Sequence, residues 1–547
     1  MTGAGAVPWW ETAVVYQIYP RSFCDASGDG VGDLEGICRH LDHLSWLGVD
    51  AIWLSPFYRS PMADFGYDVS DHCDVDPLFG DLESFDRLVR LAHERDIKVI
   101  VDFVPNHTSD RHPWFEESRS SRTNPKRDWY FWRDGRSDAD GGTGPPGSVG
   151  RLPNNWRAAF PGVGGSEFPP AWTWDDETQQ FYLHLFLAEQ PDLNWGNPAV
   201  RSAMEDVLRF WMERGVDGFR VDVIHAIGKD PALPDLPTDL APIPEIALND
   251  DPSAHPLIAS LREVVDSFGG PPGRMLVGEV VLPTSGHTLA YYGSPEAPEL
   301  NLVFNFHPLR APWQADAWRR RVQEVEEMLG PGGWWPTWVL SNHDNPRHRT
   351  RYGTEARARA AAILLLTLRG TPFVYAGEEL GLEDAEVPIE LAVDPGGRDG
   401  CRAPVPWVAT ADHGWAGGPK AWLPWPPGAG AGMNVEEQMA DASSVLHLYR
   451  RVLAARRGSD ALRHGSFRWL ESPPDTLAYA READGDSRVV VINFSERPVE
   501  VPTRGGHWPG AMWEVELRTG AAAWGGPADP LKLDPEEAAV LRPARTS

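Results

Sequence analysis

The feature that most limits the possible folds of this chain is a repeated alternation of short apolar runs with helical segments. The runs are continuous rather than alternating in polarity, which is typical of parallel strands buried on both faces. A segment with helical spacing follows most runs. Eight such runs end near Pro20, Pro56, Val104, Asp222, Val280, Phe306, Asn342 and Tyr375. Eight parallel strands with intervening helices predict an α/β fold, a closed (β/α)8 TIM barrel.

Three segments interrupt or follow this alternation. Residues 105–178 are rich in Gly, Pro, Trp and charge and are too long for an ordinary loop, so we expect a small inserted domain after the third strand. The barrel would then comprise residues 1–104 and 179–460, with a loop insertion at about 382–439 after the eighth strand. Residues 461–547 hold short alternating stretches separated by turn residues, which predict a C-terminal antiparallel β-domain, a β-sandwich.

Charge and hydropathy restrict the environment and the partners. The net charge of −29 disfavours nucleic acid and anionic membranes, which both attract basic surfaces. The sequence has no apolar run of 18 residues and no basic start followed by an apolar segment. Its four cysteines are scattered, as is usual in a reducing compartment. We therefore expect a cytoplasmic protein, a monomer or homodimer, with neither a membrane nor a nucleic-acid partner.

Three predicted strand ends carry a carboxylate: Asp222 in GFRVD, Glu279 in LVGEV and Asp344 in SNHD. Arg220 shares a strand face with Asp222, so we expect its guanidinium to lower the pKa of that acid and keep it ionised, as a nucleophile requires. Glu279 lies among apolar residues, and burial should raise its pKa and suit it to donate a proton. Taken singly, each acid could be structural, and Arg220 with Asp222 could be an ordinary ion pair.

Together, an ionised nucleophile and a protonated acid are the pair that glycoside hydrolysis requires. The third carboxylate can stabilise positive charge on the sugar. Phosphoryl transfer would predict a GxxxxGK[ST] loop and a metallohydrolase an HExxH motif, and the sequence contains neither. The pattern therefore favours a glycoside hydrolase over those two classes.

Five segments resemble the signature regions of the α-amylase superfamily, glycoside hydrolase family 13. The segments are DFVPNH, QPDLNW, GFRVD, GEV and SNHD. QPDLNW takes the form used by the oligo-1,6-glucosidase and α-glucosidase group, which WWETAVVYQIYPRSF and FVYAGEELGL also match. The resemblance implies a retaining double displacement, with Asp222 as nucleophile, Glu279 as acid and then base, and Asp344 stabilising the transition state. It also implies that the residues around the reacting glucose are His107, Arg220 and His343.

The resemblance further implies a pocket closed at one end. Asp68 in FGYDVSD and Arg402 in GRDGCRAPVPW match an Asp–Arg pair that binds the terminal glucose and blocks the groove. Such a pocket would release glucose from the non-reducing end of short α-glucosides such as maltose and isomaltose, although a structural Asp–Arg pair is the alternative. His72 replaces a Tyr that is usual in relatives, so we expect an altered ring beside the glucose. Val223 accompanies α-1,6 activity in close relatives, but the segment after it differs, and both linkages stay open.

The loop DASGDGVGD after the first strand has oxygen-bearing residues at short intervals. In the α-glucosidase group this loop holds a structural Ca²⁺ or Mg²⁺, and the resemblance implies the ligands Asp25, Ser27, Asp29, the Val31 carbonyl and Asp33. Ser27 replaces the usual Asn, and an unliganded turn is the alternative. We expect this cation to stabilise the fold, and we expect no organic cofactor.

Two other functions are compatible with parts of this pattern. An α-glucosyl transferase or a sucrose isomerase would use the same carboxylates and differ in what meets the intermediate. Non-catalytic barrels of the superfamily act as partner subunits of membrane transporters, but those carry a membrane-spanning segment and often lose catalytic acids.

Overall fold

Eight short parallel strands form one sheet that curves into the predicted barrel. The computed structural model describes residues 7–136, 145, 147–160, 168–237, 250–269, 273–418, 420–505, 508, 512–520, 526 and 528–544. In chain order, the first to eighth barrel strands are Val15–Ile18, Ala51–Leu54, Lys98–Phe103, Gly218–Val221, Met275–Glu279, Leu302–Phe304, Thr337–Val339 and Thr371–Tyr375. They pair in parallel in the order sixth, fifth, fourth, third, second, first, eighth, seventh. The predicted TIM barrel is confirmed.

The sixth and seventh strands meet at a seam. Within the described residues no strand ladder joins them, although they are neighbours in space. The Thr337 hydroxyl donates to the Val303 carbonyl at 2.7 Å across this seam. The barrel therefore closes there through a side chain.

Alternate residues of each strand face the barrel interior and the surrounding helices, as strand geometry requires. On the fourth strand, Phe219 and Val221 pack in the large cluster shared with the helices. Arg220 and Asp222 take the other face, where Arg220 is 1% exposed. The predicted division of this strand is confirmed, and it directs the polar pair into the barrel mouth.

Capping side chains fix where several barrel helices begin. The Asp81 carboxylate accepts from the Ser84 amide, and Ser444 accepts from the His447 amide, so each satisfies an amide that has no partner inside its helix. The helical spacing of residues 36–48 is compatible with one helix, but the structure has two helices that break at His40. The longer helices are Leu34–Arg39, Leu41–Leu47, Leu82–His93, Pro198–Glu213, Ala254–Ser267, Ala315–Leu329, Glu355–Thr367 and Val445–Arg457.

Shorter helices occupy the loops and the ends of the barrel. The short α-helices are Trp9–Thr12, Pro20–Phe23, Pro113–Ser120, Ser285–Leu289, His348–Tyr352, Val435–Ala440 and Asp460–His464. Single 3₁₀ turns are Arg127–Trp129, Ile224–Ala226, Ala290–Tyr292, Gly330–Gly332, Glu378–Leu380 and Asp399–Arg402.

The segment inserted after the third strand forms its own small antiparallel sheet. Its strands are Trp132–Arg133, Trp172–Asp175 and Gln180–Leu183, with the last in the middle. That central strand lies past the boundary predicted at residue 178. The bridge between His107 and Asp192 also fastens the end of the insert to its beginning. A second small hairpin, Tyr58–Arg59 with Asp71–Val75, encloses the loop after the second strand.

The C-terminal part is antiparallel, as predicted. A five-stranded sheet consists of Ser466–Trp469, Thr476–Ala483, Asp486–Asn493, Ala538–Pro543 and Trp513–Arg518, in that spatial order. A separate two-stranded sheet pairs Val499–Val501 with Leu531–Leu533. Arg481 donates to the Thr367 carbonyl at 2.7 Å and so ties this part to a barrel helix. In the described chain, we find no helix with the length and apolar character needed to cross a bilayer.

Candidate active site

A cavity of about 260 Å³ opens at the carboxyl ends of the barrel strands, and the three predicted acids all line it. Its volume is near the lower end of ligand pockets, which range from about 300 to 1,000 Å³, so it suits one sugar ring with part of a leaving group. The lining residues are Asp64, Tyr67, His107, Phe160, Phe186, Asp222, Val223, His225, Glu279, Val281, Phe306, Arg310, Asp344, Asn345 and Arg398.

One guanidinium holds two of the acids together. Arg220 donates from Nη1 to Asp222 Oδ1 at 2.8 Å and from Nη2 to Glu279 Oε2 at 2.5 Å. Its Nη1 also donates to Asp102 Oδ1 at 2.7 Å, and Asp102 is fully buried beneath the cavity. Because the terminal nitrogens of a guanidinium are fixed in one plane, the Asp222 and Glu279 carboxylates are fixed side by side.

A strained turn follows the fourth strand and presents Asp222 to the cavity. The Asp222 amide still donates to the Phe103 carbonyl at 2.8 Å, as a strand residue does. Val223 then has φ 33°, a left-handed conformation that is rare for a β-branched residue. In this conformation its amide points to Glu279 Oε2 at 3.3 Å. The strain therefore brings one more donor to the carboxylate pair, as is common at functional sites.

The protonation of this pair differs from the sequence expectation. Burial raises the pKa of Asp222 well above its usual value, Arg220 lowers it, and the adjacent Glu279 raises it again. The expected lowering by Arg220 is present, but burial outweighs it. Burial and the neighbouring carboxylate therefore disfavour the charged form of Asp222.

Asp344 has the opposite environment. Its Oδ1 accepts from Arg398 Nη1 at 2.9 Å and from Arg402 Nη2 at 3.1 Å, and its Oδ2 lies 3.2 Å from His343 Nε2. Burial raises its pKa, but His343, Arg398 and Arg402 together hold the pKa well below the usual range. This environment favours the ionised form of Asp344.

His343 is a neutral ring fixed on both nitrogens. Burial lowers its pKa to about 3. Gln17 Nε2 lies 2.7 Å from Nδ1, and because an amide NH₂ only donates, Nδ1 accepts and Nε2 carries the proton. That Nε2 lies 2.6 Å from the Tyr67 hydroxyl, and the Tyr67 ring stacks on the imidazole at 5.4 Å. Tyr19 also stacks on the imidazole, at 5.8 Å.

The predicted pairing of Asp68 with Arg402 is wrong. The Asp68 carboxylate is buried and accepts from the Ser60 hydroxyl and from the amides of Ala63 and Asp64, so it braces its own loop. Arg402 bonds Asp344 and, at 3.1 Å, Asp394. The Asp–Arg pair at the cavity wall is Asp64 with Arg398, four residues earlier in each segment, at 2.7 Å.

His107 lies in the cavity wall as expected, whereas His72 does not. His107 Nε2 is 3.1 Å from Gln190 Nε2, and the same Gln190 nitrogen donates to Asp64 Oδ2 at 3.1 Å. His72 Nε2 is directed to the Val104 carbonyl at 3.3 Å, and its ring packs beside His112 and Trp114. The expected altered ring beside the glucose is therefore not His72, and Tyr67 occupies the cavity wall instead.

The loop after the first strand does not gather cation ligands. Asp25 accepts from the Gly28 and Gly30 amides, at 2.6 and 2.9 Å. Asp33 accepts from the amides of Ala26, Ser27 and Gly36, the last as the cap of Leu34–Arg39. Among the described side chains no group of three or more His, Cys, Asp or Glu could hold a metal ion. Asp25 and Asp33 are directed to loop amides, and the Ca²⁺ or Mg²⁺ at Asp25, Ser27, Asp29, Val31 and Asp33 stays a prediction.

Several cavity residues carry no signal that the sequence alone reveals. Asp64 and Arg398 lie in the same two segments as the predicted Asp68 and Arg402, and both pairs have the same separation in the sequence, so spacing does not distinguish them. The apolar rim, formed by Phe160, Phe186, Val281 and Phe306, comes from separate loops, and no sequence pattern joins them.

The comparisons with known proteins agree with this geometry. The alpha-amylase catalytic domain family matches residues 17–465. A probable alpha-glucosidase of Rhizobium meliloti is 41% identical over 528 residues, covering 89% of this chain and 90% of the relative. An oligo-1,6-glucosidase of Parageobacillus thermoglucosidasius is 37% identical over 541 residues, covering 89% and 91%. The solved structure of the alpha-glucosyl transfer enzyme XgtA has a TM-score of 0.85 and 40% identity, covering 98% of this chain and all of that one.

The family match covers the barrel, and the alignment with the first relative covers most of both proteins. The three predicted acids from the family's motifs line one cavity. The chain therefore belongs to the alpha-amylase family and is a glycoside hydrolase.

Proposed function

We propose that this glycoside hydrolase is a retaining exo-α-glucosidase that releases glucose from the non-reducing end of short α-glucosides such as maltose and isomaltose. The observation that carries the proposal is that Arg220 donates hydrogen bonds to both Asp222 and Glu279 within a small cavity. Retaining glycosidases need two carboxyl groups about 5 Å apart, one to attack and one to transfer a proton. Two acids that bond the two terminal nitrogens of one guanidinium are close neighbours, which supports the proposal.

In the first step, the Asp222 carboxylate attacks the anomeric carbon while the bond to the leaving oxygen breaks. A proton passes from the Glu279 carboxyl group to that oxygen. This step leaves a glucosyl ester on Asp222 and an ionised Glu279. Glu279 then takes a proton from water, the water oxygen bonds to the anomeric carbon, and Asp222 leaves with its electron pair.

Asp344 and Arg220 have electrostatic roles in this scheme. The ionised Asp344 lies where positive charge develops on the sugar ring and can accept hydrogen bonds from its hydroxyls. Arg220 disperses the charge of whichever acid is ionised. His107 and His343 are neutral and buried, so they contribute hydrogen bonds and shape rather than charge.

Exo action is supported by the Asp64–Arg398 pair. Arg398 bonds both Asp64 and Asp344, so the wall of the cavity is linked directly to a predicted catalytic acid. A buried ion pair at that position leaves no passage for a second glucose unit. The substrate can then enter only with its terminal ring.

The test is the anomeric form of the first product. Proton NMR during cleavage of an aryl α-glucoside should show α-glucose before mutarotation. The initial release of β-glucose would exclude a covalent intermediate on Asp222. Clear cleavage inside long starch chains would contradict the closed pocket.

A second candidate is transfer of glucose to an acceptor other than water. It is favoured by the 40% identity to an alpha-glucosyl transfer enzyme over nearly the whole chain. A sucrose isomerase would use the same two acids. Product analysis at high maltose and at high sucrose separates these functions. Mainly free glucose supports hydrolysis, whereas mainly trisaccharides or isomerised disaccharides support transfer.

A further inference from the structure

The loop that carries Asp64 has an unusual backbone. Asp64 lies between two non-glycine residues in the left-handed region, Met62 at φ 68° and Phe65 at φ 47°, and Gly66 follows at φ 112°. A bulky aromatic residue at positive φ is a conformational outlier. Such conformations persist only where the surroundings hold them in place.

The side chain that contacts both strained residues is Arg21. Its guanidinium carbon lies 4.8 Å from the centre of the Phe65 ring, and its Nη1 donates to the Met62 sulfur at 3.4 Å. The guanidinium also lies 4.6 Å from the Trp422 ring. Phe65 and Trp422 are themselves 5.5 Å apart. Arg21 therefore contacts the rings of two loops, one after the second strand and one after the eighth, and these rings also lie close to each other.

This arginine is not part of an ion pair. It is 7% exposed, its Nε has no hydrogen-bond partner, and no carboxylate of the described residues forms a salt bridge with it. A buried cation without a counter-ion is costly to keep unless aromatic faces replace part of its hydration. Stability alone would favour an apolar side chain at this position. The contacts of Arg21 instead join two loops. One carries Asp64 beside Phe65, and the other runs from the eighth strand through Arg398 to Trp422.

We propose that Arg21, in contact with both Phe65 and Trp422, is a positioning residue that keeps Asp64 at the closed end of the pocket. This inference rests on the proposed function and deepens it, because it assigns the preference for a single terminal glucose to three residues outside the cavity lining. Phe65 and Trp422 transmit the position of Arg21 to the Asp64 backbone. None of the three touches the reacting atoms.

The experiment compares Trp422→Ala, Phe65→Gly and Arg21→Met with wild type on an aryl α-glucoside and on maltotriose. We expect KM to rise about tenfold in each variant while kcat stays within about threefold, because the chemistry is intact and the terminal ring is held loosely. We also expect maltose to appear beside glucose among the first products from maltotriose. Phe65→Tyr keeps the ring and should restore wild-type KM.

Arg450→Met is the matched control. Arg450 lies 4.3 Å from the Trp46 ring on the exposed side of Val445–Arg457, so it loses the same kind of contact far from the pocket. Its KM should not change. Phe65→Gly also distinguishes backbone strain from the loss of the ring. Glycine adopts φ 47° without strain, so this variant removes only the ring contact.

Unchanged KM and unchanged products in folded Trp422→Ala and Phe65→Gly would overturn the inference. Thermal unfolding identifies folded variants, and if Arg21→Met does not fold, the other two decide. A wild-type enzyme with no glucosidase activity would instead overturn the proposed function. The two failures are therefore distinguishable.

Discussion

Two groups of acids on the same side of the barrel have opposite environments. In the loop after the first strand, the oxygens of Asp25 and Asp33 are satisfied by backbone amides of their own loop. In the cavity, the side chains of two arginines hold the acids: Arg220 on the fourth strand bonds Asp222 and Glu279, and Arg398 bonds Asp344. Amide donors stabilise a turn and leave little for a ligand. Arg220 bonds one oxygen of Asp222 and one of Glu279, and both acids line the cavity. The cavity acids are therefore fixed by charged side-chain donors, whereas the loop acids are fixed by the backbone of their own turn.

The largest effect should come from Asp222→Asn. The amide cannot form the ester intermediate, so we expect kcat/KM for an aryl α-glucoside to fall at least about a thousandfold. The thermal unfolding midpoint should stay near that of wild type. Asp29→Asn, in the exposed first loop, is the control and should keep full activity. Wild-type turnover by Asp222→Asn would remove the contrast between the two groups of acids.

The next effect concerns the pocket wall. Asp64→Asn leaves Arg398 without part of its charge partner, and losing one member of a buried pair costs about 2–5 kcal/mol. We expect KM to rise about 30-fold or more. Asp68→Asn keeps one acceptor oxygen for its own loop and should raise KM less. If the Asp68 variant has the larger KM, the pair assigned at the cavity wall is incorrect.

A third environment sharpens the comparison. Glu378 and Glu379 are buried behind the eighth strand, where Tyr449 and Tyr16 hydroxyls donate to them. Burial raises the pKa of Glu378 to about 8 and that of Glu379 to about 7. The folded protein therefore binds protons that the unfolded chain has released above about pH 4.5, and stability falls as pH rises from there to about 8.

We expect Glu378→Gln to remove about 1–3 kcal/mol of this pH dependence. Urea unfolding at pH 5.5 and pH 8 measures it for both proteins. If the free energy of unfolding changes equally between the two pH values in the variant and the wild type, Glu378 does not hold a proton in the folded state.

The smallest effect is expected in the first loop. Asp33→Ala removes the cap of Leu34–Arg39, which should lower the free energy of unfolding by about 1 kcal/mol. Turnover should change by less than twofold, because no cavity residue contacts this loop through Asp33. A calcium titration of chelated protein, followed by thermal unfolding, tests the predicted cation in parallel. A large loss of activity in folded Asp33→Ala would show that these acids are not merely structural.

The sequence predicts the barrel well because its strands are apolar on both faces, and a continuous run such as 98–104 has few other interpretations. It also predicts which side of the fourth strand is polar. The break at His40 is not predictable, since helical spacing continues through it. Helical spacing records which residues are buried, and it does not record whether one helix or two bury them.

The closed end of the pocket shows where sequence reasoning stops. Asp64 and Asp68 lie four residues apart in an irregular loop, as do Arg398 and Arg402, and no periodicity selects one of each. Which aspartate reaches the cavity wall depends on which carboxylate accepts from the Ser60 hydroxyl and the loop amides, and in the structure that carboxylate is Asp68. The expected pKa of Asp222 is wrong for a related reason. The neighbouring Arg220, which lowers the pKa, is visible in the sequence, whereas the burial that outweighs it depends on three-dimensional packing.

The seam between the sixth and seventh strands has a consequence for motion. A single hydroxyl bond is easier to open than a ladder of amide bonds, so amide protons beside Thr337 should exchange with solvent sooner than those of the paired strands. Phe306 and Asn345 follow these two strands and line the cavity, whereas Asp64 and His107 follow strands on the laddered side. Transient opening of the seam would therefore widen the side of the cavity through which the leaving group departs, while the residues that contact the terminal ring stay in place.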